Sequence, residues 1–131
     1  MGTHLTVARI LADPSRNGVY RLETPSNLLS SLDGRVLEGK AGLLEALGWA
    51  LEFPDYYGAN WDALEECLLD MSWREGPIAL YIRHADALAP DLLGTLLEIC
   101  ADAAAAWREE GRACSLFLGG LKDAAHLPLA E

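Results

Sequence analysis

A chain of 131 residues with 51% hydrophobic content is sized for a single domain, residues 1–131, around one core. No apolar run approaches the roughly 18–20 residues of a membrane span. The first residues lack the basic-then-apolar layout of a signal peptide, so a soluble, cytoplasmic chain is expected. The net charge of −10 at pH 7 argues against a phosphate-binding surface, so neither nucleic acid nor membrane is an expected partner.

In chain order, LTVARIL (residues 5–11) is open between a short strand and a loose arm. Asp13-Pro14 and Asn17-Gly18 are turn signals. Val19–Leu22 alternates as a strand does, and Leu28–Leu32, ending at Asp33-Gly34, reads as another. From Lys40 to Glu52 the apolar positions 43, 44, 47, 50 and 51 form a helical stripe. Pro54 and Tyr56-Tyr57-Gly58 then force a loop. Asn60 is a good N-cap for a second helix running to about Met71, with an inward stripe of Trp61, Leu64, Leu68 and Met71. Gly76-Pro77 breaks the chain before a strand at Ile78–Ile82. A long helix starts at Pro90 or Asp91 and ends near Glu110, where Gly111 suits a C-terminal cap. Cys114–Leu118 is the last strand, and the tail from Gly119 carries no clear signal. Strands separated by helices favour parallel pairing. The expected fold class is α/β, with a short, mainly parallel sheet.

The three cysteines, Cys67, Cys100 and Cys114, form no disulfide framework and sit in apolar stretches, so plain buried thiols are expected. No CxxC or HxxxH pair is present, and neither metal nor cofactor is expected. The three imidazoles, His4, His84 and His126, have no Ser or Cys beside them in a recognisable motif. Arg83-His84-Ala85-Asp86 reads as a surface turn.

Charge is uneven. Glu45 to Glu75 holds eight acids and one base, Arg74, which accounts for −7 of the −10. Such a patch favours a basic partner, although a solubilising surface would also account for the charge alone. Within the second helix, Asp62, Glu66 and Asp70 are spaced i, i+4, i+8 on one face, with Glu65 beside them and no Lys or Arg to pair them. Each like-charged i, i+4 pair destabilises a helix by roughly 0.2–0.5 kcal/mol. The helix dipole offsets this for Asp62 near the positive end, but not for Asp70 near the negative end. A row kept at a cost implies a partner that supplies the positive charge. Tyr56, Tyr57 and Trp61 add aromatic area of the kind interfaces use; for Tyr57 and Trp61 a core role is equally open. An enzyme using Asp62 and Glu66 as acid and base is disfavoured, because carboxylates one turn apart on an exposed helix lack the pocket that separates their pKa values.

The run Phe53-Pro54-Asp55-Tyr56-Tyr57-Gly58, then Asn60, Asp62-Ala63-Leu64 and Cys67-Leu68, resembles the signature of the barstar family. The rest is compatible from about Leu28 to Leu118, leaving residues 1–27 as an N-terminal extension and 119–131 as a tail. Barstar-type proteins inhibit secreted guanyl-preferring ribonucleases. The resemblance implies a three-stranded parallel sheet, with an acidic helix and its preceding loop inserted into a nuclease cleft. By position it implies partner contacts at Tyr56, Asp62, Glu65, Glu66 and Leu69; Asp70 is added from the acidic row. The expected partner is a basic secreted ribonuclease or related toxin, bound by a chain that is a monomer when free. The sequence departs from the family pattern. Glu66 stands for an aspartate, Glu65 for an aromatic and Leu69 for a small polar residue. Ala106 aligns with an acid that Asp102 or Glu109 could replace. These changes leave open an immunity or adaptor protein of the same fold whose basic partner is not a ribonuclease.

Overall fold

The computed structural model describes residues 5–122 and 126–131; His4 lies outside them. The N-terminal segment is helical. Thr6 Oγ1 accepts from the Arg9 N–H at 3.2 Å, which caps α1 (Val7–Ala12). Val7 and Ile10, three residues apart, both turn inward.

β1 (Gly18–Leu22) follows. The next strand, β2, covers only Ser31–Asp33 rather than Leu28–Leu32. Residues 26–29 instead form a turn: Ser26 Oγ accepts from the Leu28 N–H, and Ser26 O accepts from the Leu29 N–H. Those amides are therefore spent locally, and Leu28 stays exposed. Then come α2 (Gly39–Ala50), α3 (Trp61–Asp70), β3 (Ile78–Arg83), α4 (Pro90–Glu110), β4 (Cys114–Leu118) and β5 (Leu129–Ala130).

The sheet has five strands, not three, in the order β2-β3-β4-β1-β5, and every pairing is parallel. The two extra strands come from the segments outside the family resemblance. β1 inserts beside β4, with Val19 opposite Leu116 and Tyr20 opposite Phe117. β5 then pairs through Arg21–Leu129 and Leu22–Ala130. All five residues of β4 are buried, as expected for a central parallel strand covered on both faces.

One face of the sheet carries Leu80, Ile82, Leu116 and Leu118 beneath Leu43, Leu44, Leu47, Leu64, Leu68 and Leu96 of the helices. The other carries Tyr20, Leu22, Tyr81 and Phe117 beneath Val7 and Ile10. Each fully buried Leu or Phe contributes about 1.5–3 kcal/mol. Asn17 locks β1 in place. Its Nδ2 donates to Ala104 O (3.2 Å) and Arg112 O (2.8 Å), and its Oδ1 accepts from the Cys114 N–H (2.9 Å). Arg83-His84-Ala85-Asp86 is a packed turn: a Cβ on Gly34 would lie 2.3 Å from His84 O, so the residue that follows β2 must be glycine.

All three cysteines are free and buried. Burial pushes the Cys100 and Cys114 thiols up to about 12. Burial, with Asp70 and Glu66 nearby, also raises Cys67. Because the thiolate is the reactive form, the native chain is expected to react slowly with an aromatic disulfide reagent near neutral pH. Three thiols should titrate at once on unfolding in denaturant; rapid reaction of the native chain would contradict this burial.

Candidate functional site

The site is built on α3 and the loop that enters it. Asn60 has extended backbone, and its Oδ1 accepts from the Ala63 N–H at 2.8 Å, which starts the helix. Leu64, Cys67 and Leu68 then point into the core, and Met71 closes the helix in a left-handed conformation with its side chain fully buried. With that stripe inward, the 3.6-residue period turns Asp62, Glu65, Glu66, Leu69 and Asp70 outward, and all five are exposed. Two anchors fix the helix on the domain. Trp107 Nε1 donates to Leu68 O at 2.7 Å. The Arg112 guanidinium donates to Met71 O, Arg74 O and Gly76 O at 2.9, 2.6 and 2.8 Å.

The two loop tyrosines have separate roles. Tyr57 is structural: its hydroxyl donates to Leu44 O at 2.8 Å, and its ring meets Phe53 edge-on with centroids 4.8 Å apart. It packs so closely on α2 that a Cβ at Gly48 would lie 2.7 Å from the ring. Burial pushes its hydroxyl up to about 12. Tyr56 is 69% exposed. Its hydroxyl donates to Asp70 Oδ2 at 3.3 Å, and partial desolvation with the Asp70 charge raises its pKa. Trp61 is half-buried, with the Lys40 amine 5.9 Å from its ring centroid.

The structure thus gathers Tyr56, Asp62, Glu65, Glu66, Leu69 and Asp70 on one surface. It also gives Asp70 local work the sequence did not reveal. One carboxylate oxygen holds Tyr56, and the other accepts from the Ser72 N–H at 3.3 Å, just past the helix end. Asp62, Glu65 and Glu66 have no side-chain hydrogen bond or ion pair among the described residues. On α4, Asp102, Ala106 and Glu109 are exposed at helical spacing along one stripe. Among the described residues no group of His, Cys, Asp and Glu is arranged to hold a metal, and no helix is long and apolar enough to cross a membrane.

What this surface offers is a carboxylate row on an anchored helix, one apolar side chain and one tethered phenol. Its charge is complementary to cationic groups. A Bacillus subtilis (strain 168) protein named "Putative ribonuclease inhibitor YrdF" is 42% identical over 53 residues, which is 40% of this chain and 56% of that protein. The similarity therefore spans little more than half of the relative. Residues 28–119 match the family described as "Barstar (barnase inhibitor)". That stretch takes in β2 through β4 and the whole of α3, while β1 and β5 lie outside it. The chain belongs to the barstar family, whose members are inhibitors rather than enzymes.

Proposed function

We propose that this chain inhibits a basic, barnase-like ribonuclease by seating the outer face of α3 and the Tyr56 loop in its active-site cleft. The observation that carries the reading is the row of Asp62, Glu65 and Glu66, exposed and unpaired on a helix that two backbone anchors hold rigid. A ribonuclease cleft presents Arg, Lys and His donors to RNA phosphates. Carboxylates on a fixed helix satisfy those donors without offering a cleavable bond. In this reading Asp62 and Glu66 stand in for phosphates, Glu65 adds steering charge, and Leu69 supplies apolar contact. Asp70 holds Tyr56 against the cleft wall. Because the helix backbone that carries the acids is already anchored, only their side-chain rotamers remain to be ordered on binding. The inhibitor acts as a monomer in the cytoplasm; three free thiols suit a reducing compartment.

The test is RNA cleavage by a panel of barnase-like ribonucleases titrated with the chain. Inhibition at one-to-one stoichiometry is expected. Association should slow by more than tenfold as salt rises from ~50 to ~500 mM, because the attraction between the acidic row and a basic cleft is screened. An association rate indifferent to salt would remove the electrostatic part of the reading. No inhibition across the panel, together with capture of a basic protein lacking nuclease activity, would replace it with an adaptor of the same fold.

A further inference from the structure

Trp49 is 87% exposed, the highest value among the large hydrophobic side chains of the described residues. It lies on α2 opposite the buried stripe of Leu43, Leu44, Leu47 and Leu51, so the core does not require it. It borders an open groove of about 660 Å³ whose floor is aromatic, from Phe53 and Tyr57, and whose rim carries Glu45, Glu52 and Asp55. No Lys, Arg or His lines the groove. Arg74 Nε lies 4.0 Å from Glu52 Oε2, and its guanidinium also donates to Ala50 O. Lys40, on the same helix, is taken up by Trp61.

A tryptophan face left in water beside three acids favours one kind of occupant. An apolar side chain would bring no charge to the rim carboxylates, and an acidic one would be repelled. A guanidinium or ammonium satisfies both the ring and the rim. The groove shares a loop with the surface already described, since its lining residues Asp55 and Tyr57 flank Tyr56 in sequence. The geometry points to the Trp49 groove as a second contact, which receives an arginine or lysine side chain from outside the ribonuclease's catalytic cleft. This rests on the inhibitor reading above and extends its footprint from α3 to α2. The contact adds discrimination between ribonucleases that share a catalytic cleft but differ in the basic residues around it.

Barnase serves as the probe, with the full chain, Trp49→Ala and the double variant Glu45→Gln/Asp55→Asn. Urea unfolding first establishes that each variant is as stable as the native chain. Trp49→Ala is expected to weaken inhibition about three- to tenfold, chiefly through faster dissociation. The Trp49 indole N–H resonance should shift in the complex. Native-like inhibition by Trp49→Ala, with Glu66→Ala impaired, would overturn the second contact and leave the inhibitor reading standing. If the native chain does not inhibit barnase, barnase is not its target, and failure across the whole ribonuclease panel is what removes the inhibitor reading. A hexa-arginine peptide then decides the groove by itself. A saturable shift of the Trp49 indole, lost in the double variant, supports a cation-binding groove; no shift overturns it.

Discussion

Glu66→Ala is expected to weaken ribonuclease inhibition by about 3–5 kcal/mol, a hundredfold or more, while leaving the free chain at least as stable as before. The opposite signs follow from its position. In the free chain Glu66 is exposed on the outer face of α3, and its side chain touches no partner among the described residues. Its neighbours one turn away are Asp62 and Asp70, so removing it relieves two like-charged pairs worth roughly 0.2–0.5 kcal/mol each. Alanine is also the better helix former. In the complex the balance reverses, because the basic groups that Glu66 would meet lose water and keep no counter-charge. Glu66→Gln separates shape from charge and should lose most of the same affinity. Paired inhibition titrations and urea melts provide the check. If Glu66→Ala binds within about threefold of native, the carboxylate row is not the contact, whatever else the surface does.

The helix that carries this row was legible because its signals are local. Asn60 has the side chain to cap, and Leu64, Leu68 and Met71 recur at helical spacing. The bond that orients Tyr56 was not legible, since Asp70 lies fourteen residues away and meets it only once loop and helix are folded together. The sheet divides in the same way. Alternation marks β1 as a strand, but its place beside β4 depends on Asn17 reaching Ala104 and Cys114, 87 and 97 residues further on. β5 has two residues, too few for any period, and exists because Arg21 and Leu22 offer it an edge; the Arg21 N–H donates to Pro128 O at 2.8 Å. The family resemblance supplied the α3 surface but ended at the segments that widen the sheet. Hence five strands stand where three were expected.

Arg112→Ala should be the most damaging single change to the fold outside the apolar core, at about 2–4 kcal/mol. Each hydrogen bond from a charged donor contributes roughly 1.5–3 kcal/mol, and three that share one guanidinium are not additive. All three acceptors lie in the segment that reverses the chain between α3 and β3: Met71 O, Arg74 O and Gly76 O. That segment begins at Met71, whose left-handed backbone and fully buried side chain leave it little room to adjust. The same guanidinium lies 5.1 Å from the Trp107 ring centroid, and Trp107 in turn holds Leu68 O. One side chain therefore couples the end of α3 to α4. Arg112→Lys should recover little, since an ammonium cannot reach three carbonyls in a planar fork and stack on an indole at once. The expected readout is a lower urea midpoint with an unchanged m-value. At temperatures where the variant remains folded, inhibition should fall less than in Glu66→Ala, because Asp62 and Glu66 lie about two turns and one turn from the released end, whereas Leu69 and Asp70 adjoin it. A loss below about 1 kcal/mol would mean that water replaces the guanidinium at those carbonyls, and that Trp107 alone holds the helix in place.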